Sequence, residues 1–342
     1  MKADVPHKTF IIAEAGVNHC GNIELALKMV HEAKRVGADA VKFQTFHAED
    51  LVTADAPKAR YQKENDGASS QFEMLKRLEL SEEDHKAIMA ECEKVGIEFM
   101  STPFSIRSAR FLKELGMKTW KIPSGEITNR PLLEYIAVVA EKVIMSTGMT
   151  TTDEITEAVV AMLISGLKKE NLYLLHCTTA YPTQLADVNL RAMEALRKFA
   201  CKGVGYSDHT QGILAPVAAV AMGALIIEKH FTLDRNLPGP DHKASLLPDE
   251  FARMVADIRD VEKAMGDGTK KPVKAEIPNK AIARKSIVAA CPISKGEKFT
   301  ADNLTTKRPG TGINPMRWYE LIGKKAKHNY NIDDLILNSE IK

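Results

Sequence analysis

The sequence predicts an α/β protein, a closed (β/α)8 TIM barrel followed by a small C-terminal domain. Three observations carry that prediction. Eight short, almost continuously apolar runs recur between Thr9 and Phe231, amphipathic helical segments separate them, and a polar linker precedes a short tail. At 342 residues the chain exceeds the size at which a single hydrophobic core stops growing. The expected boundaries are a barrel over 1–266, a linker over 267–280 and a module over 281–342.

The apolar runs fall at 9–16, 40–45, 98–104, 120–125, 143–148, 172–178, 203–209 and 225–231. Such runs suit strands covered on both faces, as in a parallel sheet. The segments between them read as helices. Ile23, Ala26, Leu27 and Val30 share one helical face, and Gly37 can end that helix. Ser105 can cap a helix that stops at Gly116, and Thr151 with Glu154 has capping-box spacing ahead of Ile155, Ala158, Val159 and Met162. Phe251, Met254, Val255, Ile258 and Val261 repeat the pattern after the eighth run. Eight such units in series favour the barrel. A doubly wound sheet is the alternative, but no G-x-G-x-x-G follows any run. The linker, A-M-G-D-G-T-K-K-P-V-K-A-E-I-P-N-K, is polar and rich in Gly, Pro and Lys.

Composition excludes several functions. Apolar residues at 44% and charged residues at 27% are ordinary for a soluble globular protein, and a net charge of +2 with scattered lysines argues against nucleic acid. Five cysteines without a C-x-x-C pair suit reduced thiols rather than disulfides or structural zinc. No run approaches the length of a membrane span, and the apolar stretch 10–13 is too short for a signal-peptide core. A cytoplasmic location, with no membrane or nucleic-acid partner, is expected.

A parallel barrel delivers its strand C-termini to one mouth, where such enzymes carry their sites. The residues at these ends are Glu14, Lys42, Gln44, Thr102, Lys121, Ser124, Ser146, His176, Thr178, Ser207, His209 and His230. Side chains two apart on a strand share a face, so Lys42 pairs with Gln44 and Ser207 with His209. If His209 and His230 end neighbouring strands, their imidazoles can share a divalent cation with positions left open for water and substrate. Mn²⁺, Mg²⁺, Co²⁺ and Zn²⁺ all fit that description. Two histidines hydrogen-bonded to carbonyls is the alternative.

Lys42 and Lys121 need an anionic neighbour if buried. With the hydroxyls of Thr102, Ser124, Ser146 and Ser207, and Gly125 and Gly148 allowing close backbone approach, they could hold a doubly anionic substrate. Schiff-base chemistry by either lysine is the competitor. Glu14 and Glu126 stand in apolar or glycine-rich surroundings, where a carboxylate must find a cation, a water or a sugar hydroxyl. For Glu126, balancing a lysine is an equal alternative. The long connection from Phe46 to Leu80, with the polar run Arg60 to Gln71, reads as a lid contributing to specificity.

Taken together, several motifs resemble the sialic acid synthase family, which makes N-acetylneuraminic, legionaminic and pseudaminic acids. They are A-E-A-G-V-N-H-C-G, V-K-F-Q-T-F, M-S-T-P-F, W-K-I-P-S-G-E-I-T-N, M-S-T-G-M, L-H-C-T-T-A-Y-P-T, G-Y-S-D-H-T, I-E-K-H-F-T-L-D and G-P-D-H-K-A-S-L. The tail, from A-R-K-S-I-V-A-A to K-R-P-G-T-G-I, resembles an antifreeze-like (SAF) domain.

The resemblance implies condensation of phosphoenolpyruvate with an open-chain N-acylated amino sugar, first of all N-acetylmannosamine. Diacetamido-trideoxy sugars, leading to legionaminic or pseudaminic acid, are the alternative. It implies a divalent metal, Mn²⁺ first, on His209 and His230. It also implies that Lys42, Lys121, Thr102, Ser124, Ser146 and Ser207 hold phosphoenolpyruvate, and that Glu14, Gln44, Phe104, Glu126, Tyr181 and Asp241 line the sugar site, with Glu14 a candidate acid or base. Thr179 stands where some members have asparagine near the phosphate, while H-C-T-T also occurs in the legionaminate branch. The family further implies a domain-swapped homodimer with Arg308 over the partner's barrel mouth. A phosphorylated sugar substrate, or a non-enzymatic sugar-binding role, are the competing readings.

Overall fold

A computed structural model describes residues 8–58, 62, 70–199 and 201–341. The chain divides into two compact units, Met1–Asp267 and Gly268–Lys342. The first holds eight strands: β1 (Phe10–Gly16), β2 (Ala40–Thr45), β3 (Glu98–Pro103), β4 (Thr119–Ile122), β5 (Lys142–Ser146), β6 (Leu172–Cys177), β7 (Gly203–Asp208) and β8 (Ile226–His230). Their ladders are parallel and run in the order β3-β2-β1-β8-β7-β6-β5-β4, with β3 packed beside β4 to close the cylinder. Every one of the eight apolar runs is a strand of this barrel.

Helix starts are set by local side chains, as their sequences lead one to expect. Ser105 accepts from the Ser108 N–H, and Thr151 with Glu154, like Ser81 with Asp84, closes a full capping box. The helices bury their stripes on the outer faces of the strands. Ile11, Ala13, Val41, Phe43 and Val143 meet Ala26, Met29, Ile88, Leu133 and Met162 in one continuous core.

The inner face of the barrel has its own layer, and it positions the site. Ile12, Ala40, Met100, Ile144, Leu175 and Ile226 fill the cylinder. Five of them stand two residues before a polar one, namely Glu14, Lys42, Thr102, Ser146 and Glu228, and Leu175 stands two before Cys177. The two-residue strand period therefore stacks a polar ring directly on an apolar plug. Gly205 completes the plug by omission, since a Cβ there would lie 2.4 Å from the Ile226 carbonyl oxygen and 2.6 Å from Leu175.

The second unit pairs β9 (Ser286–Ala289) with β10 (Leu304–Lys307) antiparallel, over a small core of Ile287, Ile293, Phe299, Ile313 and Leu321. No helix among the described residues is long and apolar enough to cross a membrane.

Candidate active site

A cavity of about 570 Å³ opens above the apolar plug, at the C-terminal ends of the strands. Its lining includes Glu14, Lys42, Gln44, Thr102, Phe104, Lys121, Ser124, Ser146, Thr179, Tyr181, Ser207, His209, His230 and Asp241. Residues expected from distant parts of the sequence thus meet in one chamber.

Strand register explains the contacts at its floor. Glu14 pairs across β1 and β2 with Lys42, and across β1 and β8 with His230, while Ser207 lies opposite Glu228. Lys42 Nζ accordingly sits 2.8 Å from Glu14 Oε2 and donates to Thr102 Oγ1 at 2.9 Å. Gln44 Nε2 donates to Glu14 Oε1 at 3.2 Å. Ser124 Oγ accepts from the Gly148 N–H at 2.9 Å, and a Cβ on Gly148 would crowd Thr179 Oγ1, Cys177 Sγ and Ser124 Oγ. Glycine is needed there to let two loops close on the floor.

Glu228 is a charged cavity residue that sequence reasoning passes over. Its carboxylate lies 3.5 Å from Lys121 Nζ and 3.7 Å from Lys42 Nζ, and accepts from Ser207 Oγ at 3.0 Å. It stands two residues before His230, so the period that pairs Ser207 with His209 also points it inward. Burial alone would raise its pKa, but Lys121 and Lys42 hold it down at about 2. Glu14 goes the other way: burial, with help from the Glu228 charge, pushes it up to about 7 against the pull of Lys42. Burial lowers Lys121, while for Lys42 burial is outweighed by Glu14 and Glu228, which keep it above its usual value. Two buried cations thus face one firmly ionised carboxylate and one that protonates readily.

The imidazoles of His209 and His230 come within 5.5 Å, centroid to centroid, with the Tyr181 ring 4.2 Å from His209. Burial holds both histidines below their usual pKa, so both are neutral near pH 7. His209 Nδ1 bonds the Thr178 carbonyl at 2.7 Å and must carry the proton, which leaves Nε2 with its lone pair. His230 Nδ1 is buried without a hydrogen-bond partner, 3.8 Å from Asp241 Oδ2. Burial lifts Asp241 to about 6. Two neutral imidazoles, one with an orphaned nitrogen, fit a divalent ion. Among the described residues no group of three or more His, Cys, Asp or Glu is arranged to hold one. A cation here would therefore rest on two protein nitrogens and take its remaining ligands from water and substrate.

Other expected residues lie elsewhere. His176 and Thr178 point out of the barrel: His176 Nε2 contacts the Val188 carbonyl at 2.7 Å with its ring stacked on Tyr206, and Thr178 Oγ1 donates to the Asp187 carbonyl. They alternate with the inward Leu175, Cys177 and Thr179, so the strand period excludes them. Glu126 follows β4 in a short 3-10 turn, half-buried, accepting from Asn129 Nδ2 at 2.6 Å rather than lining the cavity. Burial raises its pKa, opposed by Asn129. Arg308 is exposed in the other unit. The connection 46–80 contributes Leu51, Val52, Gln62, Gln71, Met74, Leu75 and Leu78 to the cavity wall. Its polar run Arg60 to Gln71 lies outside the described residues apart from Gln62, Ser70 and Gln71.

The sequence profile of the NeuB family matches residues 29–270, and that of the SAF domain matches 284–342. The chain belongs to the NeuB family. It is 52% identical to N,N'-diacetyllegionaminic acid synthase of Campylobacter jejuni, over 96% of this chain and 99% of that protein. It is 48% identical to the Legionella pneumophila protein of the same name, over 97% of this chain and 94% of that one. Among solved structures, the N-acetylneuraminic acid (sialic acid) synthetase of Leptospira borgpetersenii superposes with a TM-score of 0.72 at 36% identity, covering 80% of this chain and 90% of that chain. This chain is therefore an enzyme, a transferase that forms a carbon–carbon bond. Identity among these three favours the legionaminate branch over the N-acetylneuraminate branch that the sequence reading puts first.

Proposed function

We propose that this member of the NeuB family is an N,N'-diacetyllegionaminic acid synthase, condensing phosphoenolpyruvate with a 2,4-diacetamido-trideoxyhexose in its open-chain form. The observation that carries the reaction is the pairing of Lys42 and Lys121 in one buried chamber with the two imidazoles. The likeness to the two legionaminate synthases supports the choice of sugar.

In this reading Lys42 and Lys121 bind the carboxylate and phosphate of phosphoenolpyruvate, with Thr102, Ser124, Ser146 and Ser207 completing the shell. Ser146 Oγ is buried with no partner of its own, as a donor awaiting an oxyanion would be. Thr179, with a shorter reach than asparagine, supplies one further hydroxyl. The sugar lies over Gln44, Phe104, Tyr181 and Asp241, its aldehyde turned to His209 and His230. Those two histidines would hold a divalent ion, Mn²⁺ first, which supplies Lewis-acid polarisation of a carbonyl. Glu14, pushed up to about 7, can give a proton to the aldehyde oxygen as the enol carbon attacks. Water then adds to the carbon bearing phosphate, and phosphate leaves with its bridging oxygen by C–O cleavage.

Phosphate release from phosphoenolpyruvate, dependent on both sugar and metal, tests the reaction. Replacing Lys42 or Lys121 by Met is expected to cut kcat/KM by about a hundredfold or more, the cost of losing a buried charge-assisted contact. The metal content of His209→Ala compared with the unaltered protein tests that ligand; equal content would remove His209 from the site. A panel of N-acetylmannosamine and its 2,4-diacetamido-trideoxy analogues tests the sugar. The swapped homodimer and the role of Arg308 rest on family resemblance. Deleting the chain beyond Asp267 should abolish turnover, and full activity in the truncated barrel would end that part of the reading.

A further inference from the structure

The cavity has two chemically different ends. Its two lysines, Lys42 and Lys121, and the two neutral histidines all come from strand ends on the floor. The part of the wall built by the connection after β2 carries Leu51, Val52, Met74, Leu75 and Leu78, and no charged side chain among its described lining residues. Phe104 joins it, packing edge-on against Phe46 at 6.1 Å.

The helix Gln71–Leu78 makes this surface by its spacing. Gln71, Met74, Leu75 and Leu78 follow the i, i+3, i+4, i+7 pattern, so they share one face, while Glu73, Lys76 and Arg77 fall on the other. The Ser70–Glu73 capping box fixes its first turn. Met74 and Leu78 are buried against Val17 and Phe46, which anchors the helix to the barrel. Leu51, Leu75 and Phe104 are only partly buried in that cluster while lining the cavity, so they keep apolar surface turned to a ligand. The Gln62 and Gln71 amides are the polar groups set into this surface among its described lining residues.

We infer that Leu51, Val52, Leu75 and Phe104, with the Gln71 amide among them, form the receptor for the distal end of the sugar, taking its C6 methyl and 4-acetamido groups and disfavouring a C6 hydroxyl or phosphate. The inference rests on the reaction proposed above, which puts the aldehyde at the histidines and so turns the far end of the open chain away from the floor. An acetamido group offers a methyl for the leucines and an amide for Gln71. A C6 hydroxyl would lose its water against Leu51 and Leu75, and a phosphate would meet no cation among the described residues lining this wall. The segment thus acts as a chemical filter at the end remote from bond formation.

The test is the ratio of kcat/KM for the 2,4-diacetamido-trideoxyhexose to that for N-acetylmannosamine, measured by phosphate release with the full chain. Because both sugars are assayed on one preparation, any loss of active fraction cancels. Leu75→Asn and, on a separate segment, Leu51→Asn should each lower the ratio by about tenfold or more, whereas Leu75→Met should hold it within about threefold. A parallel fall for both sugars, or an unchanged ratio in both Asn variants, overturns the inference and leaves the reaction standing. A wild-type ratio below one removes the legionaminate reading and this wall's role with it. If wild-type enzyme uses N-acetylmannosamine 6-phosphate as readily as the trideoxy sugar, the filter is refuted while the condensation itself is not.

Discussion

Strands β7 and β8 carry two polar registers, and the contrast between them separates chemistry from architecture. The outer register holds Tyr206, Asp208, Thr210 and Lys229; the inner holds Ser207, His209, Glu228 and His230. Both are buried, and both contain charges. In the outer register every charge is closed. Asp208 accepts from Tyr206 Oη at 2.9 Å, from the Thr210 N–H and hydroxyl at 3.0 Å each, and from Lys229 Nζ at 2.5 Å, while Lys229 also donates to the Thr210 carbonyl. In the inner register Glu228 Oε2 and His230 Nδ1 have no hydrogen-bond partner, and neither does Ser146 Oγ across the chamber. A closed buried network fixes a structure, whereas an open one keeps donors and acceptors for something that arrives. The two also cooperate. The Thr178 carbonyl, supplied by an outward residue, sets the tautomer of the inward His209.

The largest expected effect comes from opening the closed network. Asp208→Asn leaves the fully buried Lys229 ammonium without its counter-charge, and burial already lowers the pKa of Lys229 against the pull of Asp208. Unfolding free energy by denaturant titration should fall by about 3–5 kcal/mol. Adding phosphoenolpyruvate should not restore it preferentially, because nothing in the outer register meets the ligand. Equal stability in the variant would mean that the contrast between the registers has been misplaced.

Glu228→Gln should also destabilise the ligand-free protein, with a smaller amplitude, but here the ligand should offset the loss. It removes the carboxylate that lies between Lys42 and Lys121, so the ligand-free protein loses an attraction to both, about 2 kcal/mol for charge-assisted contacts of this kind. A dianionic ligand can replace that charge. The thermal shift produced by phosphoenolpyruvate should therefore be larger in Glu228→Gln than in the unaltered protein. A smaller shift would place Glu228 among the groups that hold the ligand rather than those it displaces.

How much of this was legible depends on which period governs a residue. The eight strands and the helices between them were readable because short apolar runs and capping residues such as Ser105 and Thr151 are local signals. The inward set Lys42, Gln44, Ser207 and His209 followed from the two-residue period. The same rule finds Glu228 from His230 and rejects His176 beside Cys177, but an acid inside I-I-E-K-H-F is easily absorbed into an apolar run. The wall was readable only as a lid of unspecified chemistry. The stripe of Met74, Leu75 and Leu78 has the same spacing whether a helix faces a core or a cavity, so periodicity could not say that Leu75 keeps surface for a ligand. Glu126 shows the reverse limit. It sits in a motif shared with the family, yet its nearest partner is Asn129, three residues on, a contact set by a local turn.

The smallest effect tests the inner register where β6 runs out. Thr179 continues the inward series Leu175, Cys177, Thr179, and its hydroxyl stands at the point where a Cβ on Gly148 would come within 2.4 Å of it. If that hydroxyl donates to the phosphate, Thr179→Val keeps the shape and removes one neutral hydrogen bond, worth about 1 kcal/mol. The KM for phosphoenolpyruvate should then rise by about threefold to tenfold with kcat nearly unchanged, the mark of a contact made equally in ground and transition states. Thr179→Asn separates reach from chemistry, since it returns a donor on a longer arm and should bring KM back toward the original value. Unaltered KM in Thr179→Val would move Thr179 from the phosphate to the rim of the chamber, and the inward register of β6 would end at Cys177.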